Sequence, residues 1–188
     1  MARKKEYIEA EVIDRALYLF WRHGYENTSM QMLEKEMGIN KFSIYSRFGN
    51  KHGLFLECLK SYKLKTKDLF EKFKASSNGV EDIKQFFKDS VAICFKDGNE
   101  KGCLLTNTYN EFAHREDAQV RNLLDDFMQQ LKDICIEKLR MHTVKDDETI
   151  LKEANYLVLA KHGLAAATRV NSREEIEDYI ELTFKNIS

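Results

Sequence analysis

A short run of residues, 41 to 48, combines cations, hydroxyl groups and aromatic rings in a way that suits hydrogen bonding to nucleic acid. Lysine and arginine side chains can donate to guanine O6 and N7, whereas hydroxyl groups typically contact phosphate oxygens. The candidate side chains of this run are Lys41, Phe42, Ser43, Tyr45, Ser46 and Arg47. DNA binding through one exposed helix face is therefore the chemistry that this run predicts.

The residues before this run predict the helices that would hold it. Apolar residues recur at intervals of three and four up to Phe20, which predicts a first amphipathic helix, and Gly24 suits the residue that ends it. Thr28 and Gln31 have the spacing of a capping box, so a second helix should begin at about Ser29.

The third helix should run from Lys41 to Phe48, after a turn at Gly38 and with Asn40 as its N-cap. Two short helices joined by a glycine turn form a helix-turn-helix unit, whose second helix enters the DNA major groove. A fourth helix would follow, with Lys51 at its positive N-terminus, which is a natural place to hold a phosphate.

At these residues the chain resembles the TetR family of bacterial repressors. The matching residues are Ala16-Leu17, Leu19-Phe20, Gly24-Tyr25, Thr28, Leu33, Gly38-Ile39, Ile44-Tyr45, Phe48, Lys51 and Leu54. The resemblance implies that Thr28, Tyr45 and Lys51 contact phosphates. It also implies that bases or backbone are met by Gln31, Lys41, Ser43, Ser46 and Arg47.

Three positions depart from the family pattern. Glu34 stands where alanine is usual, Phe42 where glycine is frequent, and Gly49-Asn50 where proline often precedes the lysine. Glu34 bears on how the second and third helices pack. Phe42 can instead contact a thymine methyl group.

The length of 188 residues and the absence of proline predict an all-α protein. We expect a three-helix helix-turn-helix domain over residues 5–65, with the recognition helix at about 40–48. A larger ligand-binding and dimerisation domain would cover 66–188. The fourth helix is expected to run unbroken from 50 to about 74, as a lever shared by both domains. Further helices are predicted at about 80–96, 101–113, 117–141, 148–170 and 173–187.

The distribution of charge allows DNA binding without requiring it. Residues 1–51 carry nine Lys/Arg and seven Asp/Glu, and the whole chain has a net charge of −1. Arg3, Lys4 and Lys5 form a basic arm that either touches DNA or is a solvated terminus. No apolar run is long enough to cross a membrane, and no signal peptide precedes the acidic residues, so the expected location is the cytoplasm.

The second domain offers candidates for an effector site. Polar groups on otherwise apolar helices, with phenylalanine walls, suit a small-molecule pocket, although each polar group alone could be an ordinary core residue. The candidates are Tyr62, Phe86, Phe95, Cys103, Thr106, Tyr109, Asn110, Phe127, Tyr156 and His162. Neither a metal nor a cofactor is expected.

The four cysteines match no zinc or redox motif. Cys58, Cys94 and Cys135 lie among apolar residues and are expected to be buried thiols. Cys103 would start a helix close to Lys101, where a thiolate could react with an electrophile; the alternative is a packing cysteine.

Small residues near the C-terminus predict a close helix contact. Gly163, Ala166 and Ala167 would let another helix approach, either within one subunit or in a four-helix bundle with a second copy. The family resemblance implies dimers through the last two helices, which adds Ile180 and Phe184 to the expected interface.

Three functions remain in competition. The first is a DNA-binding repressor, acting on a palindromic operator as a homodimer and released by a small-molecule effector. The second is a thiol-based electrophile sensor of the same fold, acting through Cys103. The third is an interaction module that has lost DNA binding. Nothing in the sequence supports an enzyme, since no phosphate loop, metal-binding helix or activated nucleophile is found.

Overall fold

The computed structural model describes residues 9–95, 102–141, 144–185 and 187, and these residues contain ten helices. The helices are α1 (Glu9–Asn27), α2 (Met30–Met37), α3 (Lys41–Phe48), α4 (Lys51–Lys65), α5 (Lys67–Ala75), α6 (Val80–Cys94), α7 (Leu104–Phe112), α8 (Ala118–Arg140), α9 (Asp147–Ala167) and α10 (Arg173–Lys185). The all-α prediction is confirmed. The basic arm and Lys101 lie outside the described residues.

The chain divides into two compact units, Met1–Lys65 and Thr66–Ser188. The first unit holds the four helices from α1 to α4. In its core, aromatic side chains pack α1 against α4. The Phe20 and Phe55 rings meet edge to face at 4.9 Å between centroids. Gly24 has a φ of 78° within α1, which ends the regular helix where the sequence predicts. Within this unit the recognition helix α3 packs against α2 and α4.

The predicted long fourth helix is wrong. α4 ends at Lys65 and α5 begins at Lys67, with Thr66 between them at φ −92° and ψ −1°. Apolar residues continue at helical spacing through the break, from Tyr62 to Phe70 and Phe73, so periodicity could not reveal it. A β-branched residue disfavours helix only slightly, so Thr66 was a weak signal.

The second unit is built around one core to which α5, α6, α8, α9 and α10 all contribute. Phe70 and Phe127 pack edge to face at 5.0 Å, and the Phe73 and Phe86 rings stack at 4.5 Å. Phe86 and Phe127, predicted as walls of an effector pocket, therefore pack against the aromatic rings of this core. No helix in the described part of the chain is apolar over the length needed to cross a membrane.

A buried lysine fixes the end of α5. The Lys138 side chain is fully buried and donates from Nζ to the Lys74 carbonyl oxygen at 2.9 Å and to the Ser76 carbonyl oxygen. These carbonyls lie at the end of α5, where a helix leaves acceptors without partners in the helix itself. Lys138 thus joins α8 to α5 through polar contacts that a shorter side chain could not make.

Side-chain caps set several helix starts. Asp146 accepts from the Thr149 amide at 2.7 Å at the start of α9. Ser172 and Glu175 bond each other's amides at the start of α10, which confirms the capping box predicted there. These local contacts explain why the starts of the last two helices could be read from the sequence.

Candidate functional site

The outer face of α3 presents a row of exposed side chains. Ile44 is fully buried beneath them, and Phe42 has 80% of its side-chain surface exposed. The exposed members of the predicted set on this helix are Lys41, Phe42, Tyr45, Ser46 and Arg47. Ser43 is half-buried, and its amide donates to the Asn40 side-chain oxygen at 2.8 Å. The arrangement offers donors and one apolar ring to a groove.

Glu34 caps the recognition helix. Its Oε1 accepts from the Lys41 amide, the first of α3, while Asn40 takes the Ser43 amide. A carboxylate at this position is stabilised by the positive end of the helix. The departure from the family pattern at Glu34 therefore has a structural role: a side chain of α2 holds the start of α3.

Thr28 does not occupy the position predicted for it. Ser29 is the N-cap of α2 and accepts from the Met32 amide at 3.2 Å, whereas Thr28 is fully buried. The Thr28 hydroxyl donates to the Gly24 carbonyl oxygen at 2.6 Å. Both residues carry hydroxyls, and the sequence could not tell which would turn inward. Gln31, by contrast, is exposed.

Lys51 lies at the first position of α4, held by two contacts. Its ammonium lies 4.5 Å from the Tyr25 ring centroid and donates to the Glu26 carbonyl oxygen at 3.3 Å. The Asn50 side chain caps the helix by accepting from the Gly53 amide at 2.8 Å. A side chain at Gly53 would place its Cβ only 2.0 Å from the Phe48 carbonyl oxygen, so α4 begins close against the end of α3.

Arg47 has a partner that the sequence did not predict. Its Nε donates to Glu9 Oε1 at 3.0 Å, and a second guanidinium nitrogen contacts the other carboxylate oxygen. The contact joins the start of α1 to the end of α3. Because the two residues are 38 positions apart, no local pattern could have indicated it.

Part of the predicted effector set comes together between α7 and α9. The Tyr109 and His162 rings meet edge to face at 5.1 Å. Cys103 is the N-cap of the same α7, and Thr106 lies buried in its first turn. Burial lowers the pKa of His162, and the nearby charge of Lys161 lowers it further. Lys161 itself was missed, because a lysine on a helix normally indicates solvent exposure.

The other predicted effector residues lie elsewhere. The Tyr62 ring belongs to the first unit, where it packs against Trp21 at 5.1 Å. Phe95 lines a cleft of about 500 Å³ between α6 and α10, and Tyr109 lines another of about 390 Å³ between α7 and α8. Asn110 and Tyr156 are exposed.

The cysteines follow the prediction closely. Cys58, Cys94 and Cys135 are buried thiols, and Cys103 is half-buried. Burial raises the pKa of Cys58 and Cys94, and raises that of Cys135 to about 12. These three thiols are neutral at physiological pH.

The surface of the last two helices differs in part from the predicted interface. Ile180 and Phe184 are buried in the subunit's own core, so neither is available to a second copy. Gly163 is exposed, and Ala166 and Ala167 are half-buried. The prediction missed a row of exposed apolar residues, namely Tyr156, Leu159, Tyr179 and Leu182. Leu182 and Tyr179 could have been found as apolar residues on the polar face of α10.

Part of the chain is similar to one family of known proteins. Residues 12–58 match the family described as bacterial regulatory proteins, tetR family. The uncharacterized HTH-type transcriptional regulator YezE of Bacillus subtilis (strain 168) is 27% identical over 191 residues, covering 97% of each chain. The HTH-type transcriptional repressor ComR of Escherichia coli (strain K12) is 32% identical over 108 residues, which are 56% of this chain and 51% of ComR.

Solved structures share the fold over the whole chain. The TetR family regulator CifR, a cysteine mutant complexed with 26-bp double-strand operator DNA, superposes with a TM-score of 0.86 at 21% identity, covering all of both chains. The reduced form of E. coli NemR has a TM-score of 0.78 at 17% identity, covering 95% of this chain and 94% of NemR. At these identities the likeness concerns the fold.

Proposed function

We propose that the chain is a ligand-responsive repressor of the TetR family, the family of bacterial regulatory proteins that its residues 12–58 match. In this proposal a homodimer binds a palindromic operator and a small-molecule effector releases it. The family consists of regulators rather than enzymes. The observation that carries the proposal is the exposed face of α3, with Lys41, Phe42 and Arg47 directed away from the core.

The roles proposed for the DNA-contacting residues follow from their positions. Lys41 and Gln31 are exposed and can donate to base edges, and Phe42 can pack on a thymine methyl group. Tyr45 and Lys51 would contact phosphates, which sets the register of the protein on the duplex. Thr28 would act indirectly, since its buried hydroxyl holds the turn before α2.

Dimerisation is supported by the exposed apolar surface of α9 and α10. Leu159 is 71% exposed and Leu182 is 63% exposed, and such side chains in a continuous row mark interaction surfaces. Tyr156, Leu159, Gly163 and Ala166 recur at helical spacing on one side of α9. A two-fold dimer would also give two recognition helices, as a palindrome requires.

Release by an effector requires only a modest difference in affinity. About 1.4 kcal/mol between two conformations changes DNA affinity tenfold. A ligand in the second unit would achieve this by altering the separation of the two recognition helices, which must match one DNA turn of about 34 Å. By reciprocity, operator DNA must weaken effector binding by the same factor.

Selection of genomic DNA fragments with the purified full-length protein tests the proposal. We expect enrichment of one palindromic sequence, with log affinity falling against log salt by about 0.9 for each phosphate neutralised. If no sequence is enriched, the repressor is excluded and the chain is better described as an interaction module. Enrichment of non-palindromic half-sites alone would contradict the dimer.

A second candidate, covalent sensing at Cys103, is favoured by one observation. This thiol is half-buried at the N-cap of α7 and more accessible to a reagent than the other three, which are buried. Release of operator DNA by a quinone would then be lost in Cys103→Ser and kept in Cys135→Ser. Mass spectrometry would show one added quinone on the wild-type chain. Release that survives in Cys103→Ser excludes this candidate.

A further inference from the structure

Glu9 of α1 and Arg47 of α3 form a two-point ion pair at the recognition helix. Arg47 Nε donates to Glu9 Oε1 at 3.0 Å, and Arg47 Nη2 donates to Glu9 Oε2. The carboxylate therefore lies along the side edge of the guanidinium, which is formed by Nε and one terminal nitrogen. The Arg47 side chain is 56% exposed and that of Glu9 is 42% exposed, so both are accessible to DNA.

Packed helices hold the two side chains in place. Val12, one turn after Glu9, is buried, and Ile44, one turn before Arg47, is fully buried. Asp14 ties the same part of α1 to α4 through a salt bridge of 2.8 Å. The pair thus joins two anchored helices rather than a loop, which is the support that a precisely oriented binding group needs.

The pair contributes little to the stability of the fold. Water competes for two exposed charges, and two long side chains lose conformational freedom when they pair. An arginine that binds a base loses the same freedom at the moment of binding. Because Glu9 already orders Arg47 in the free protein, the main consequence of the pair is an arginine that is oriented before DNA binds.

A guanidinium has a second edge on which a base can bind. Its five N–H groups form a planar fork, so a carboxylate can accept from the side edge while another pair of acceptors faces the end edge, formed by the two terminal nitrogens. Guanine presents such a pair, O6 and N7, in the major groove, and arginine is its commonest specific partner. With Glu9 along the side edge, the end edge is the one that a guanine would bind.

The Glu9 carboxylate also makes contacts between Arg47 and phosphate unfavourable. A phosphate on the side edge would displace the carboxylate, and a phosphate on the end edge would lie close to it, so in both cases like charges would repel. A guanine is neutral and leaves the ion pair intact. The carboxylate therefore penalises binding to DNA in general more than binding to a sequence with guanine at the contacted position.

We propose that Glu9 determines DNA specificity by orienting Arg47 to read a guanine in the major groove of the operator. The inference rests on the proposed function, since it concerns how the repressor selects its operator. Arg47 contacts the base, and Glu9 is a positioning residue that acts through Arg47.

Fluorescence anisotropy with the selected operator and each of its single-base variants tests the inference. At one position of each half-site, the wild type should prefer guanine about tenfold or more over the other bases. Glu9→Gln keeps the size of the side chain but removes its charge. It should reduce that preference about fivefold and raise the affinity for unrelated DNA. Preferences at the other positions should not change.

Arg47→Lys identifies the base pair concerned. A lysine keeps the charge but cannot form the fork, so the preference should be lost at the same position as in Glu9→Gln. The double variant should discriminate no worse than Arg47→Lys alone, because Glu9 acts through Arg47. Losses at different positions, or losses that add in the double variant, overturn the proposal.

Glu11→Gln is the matched control, since it removes the same charge from an exposed residue in the first turn of the same helix. It should leave every base preference unchanged. If Glu9→Gln only raises the affinity for all sequences alike, as loss of a repelling charge would, the proposal is wrong. The Tm of both variants should stay within about 4 °C of the wild type, because exposed pairs stabilise little. A larger fall in Glu9→Gln would show a structural role instead.

The outcomes distinguish this inference from the proposed function. A wild-type protein that selects no sequence excludes the repressor, and the inference with it. A wild-type protein that selects an operator, while Glu9→Gln keeps the same preference at every base pair, remains a repressor, and only the role of Glu9 is excluded.

Discussion

Replacing Leu159 by arginine should convert the proposed dimer into monomers and lower operator affinity by at least about a hundredfold. Leu159 is the most exposed of the apolar residues in the row on α9 and α10. An arginine charge buried at this position of an interface would have no partner. Its burial would cost more free energy than the loss of the leucine contact. A monomer binds one half-site only, so the gain from simultaneous binding of two half-sites is lost.

Sedimentation velocity at micromolar concentration and operator titration measure the two effects. The matched control is Val144→Arg, since Val144 is fully exposed ahead of α9 and outside the apolar row. It should remain a dimer with unchanged operator affinity. A wild-type protein that sediments as a monomer, or a Leu159→Arg variant that stays dimeric, contradicts the proposed interface. Helical circular dichroism should be the same in all three proteins.

Local sequence patterns were sufficient to predict the bounds of the recognition helix. The predicted bounds, Lys41 to Phe48, are those of α3, because Asn40 caps its start and Gly49 follows its end. The start of α10 was equally clear from Ser172 and Glu175. In each case the deciding contacts lie within four residues of each other, which is the range over which sequence spacing specifies a hydrogen bond.

Contacts between residues that are distant in sequence could not be predicted from the sequence, and other parts of the structure depend on them. Glu34 caps α3 and Glu9 holds Arg47, and neither pair could be identified before the helices were packed together. Ile180 and Phe184 fit an interface by pattern, yet they face the core, while Leu182 of the same helix is exposed. Which apolar side of a helix is buried within the subunit depends on its neighbours, and the resemblance to a family could not decide it.

The recognition surface should separate into residues that read sequence and residues that only hold the backbone. Lys41 is exposed at the start of α3, with its ammonium 5.4 Å from the Tyr45 ring centroid, and can reach a guanine edge. Lys51 lies at the start of α4, where it is held against Tyr25. It can contact only a phosphate that approaches the N-terminus of this helix. Their alanine variants should therefore have different effects on DNA binding. Loss of Lys41 should alter the sequence preference, and loss of Lys51 should alter the affinity for every sequence.

Lys41→Ala should cost about 1–3 kcal/mol at one base position and so relax the preference there. Lys51→Ala should weaken binding to every sequence about equally and reduce the salt slope by about 0.9. Lys60→Ala, which removes an exposed lysine of α4 paired with Glu57, should change neither. Fluorescence anisotropy over several salt concentrations, with the selected operator and its single-base variants, measures both effects. If Lys41→Ala weakens all sequences equally and keeps the preference, Lys41 is a phosphate contact, and base reading must rest on Gln31, Phe42 or Arg47.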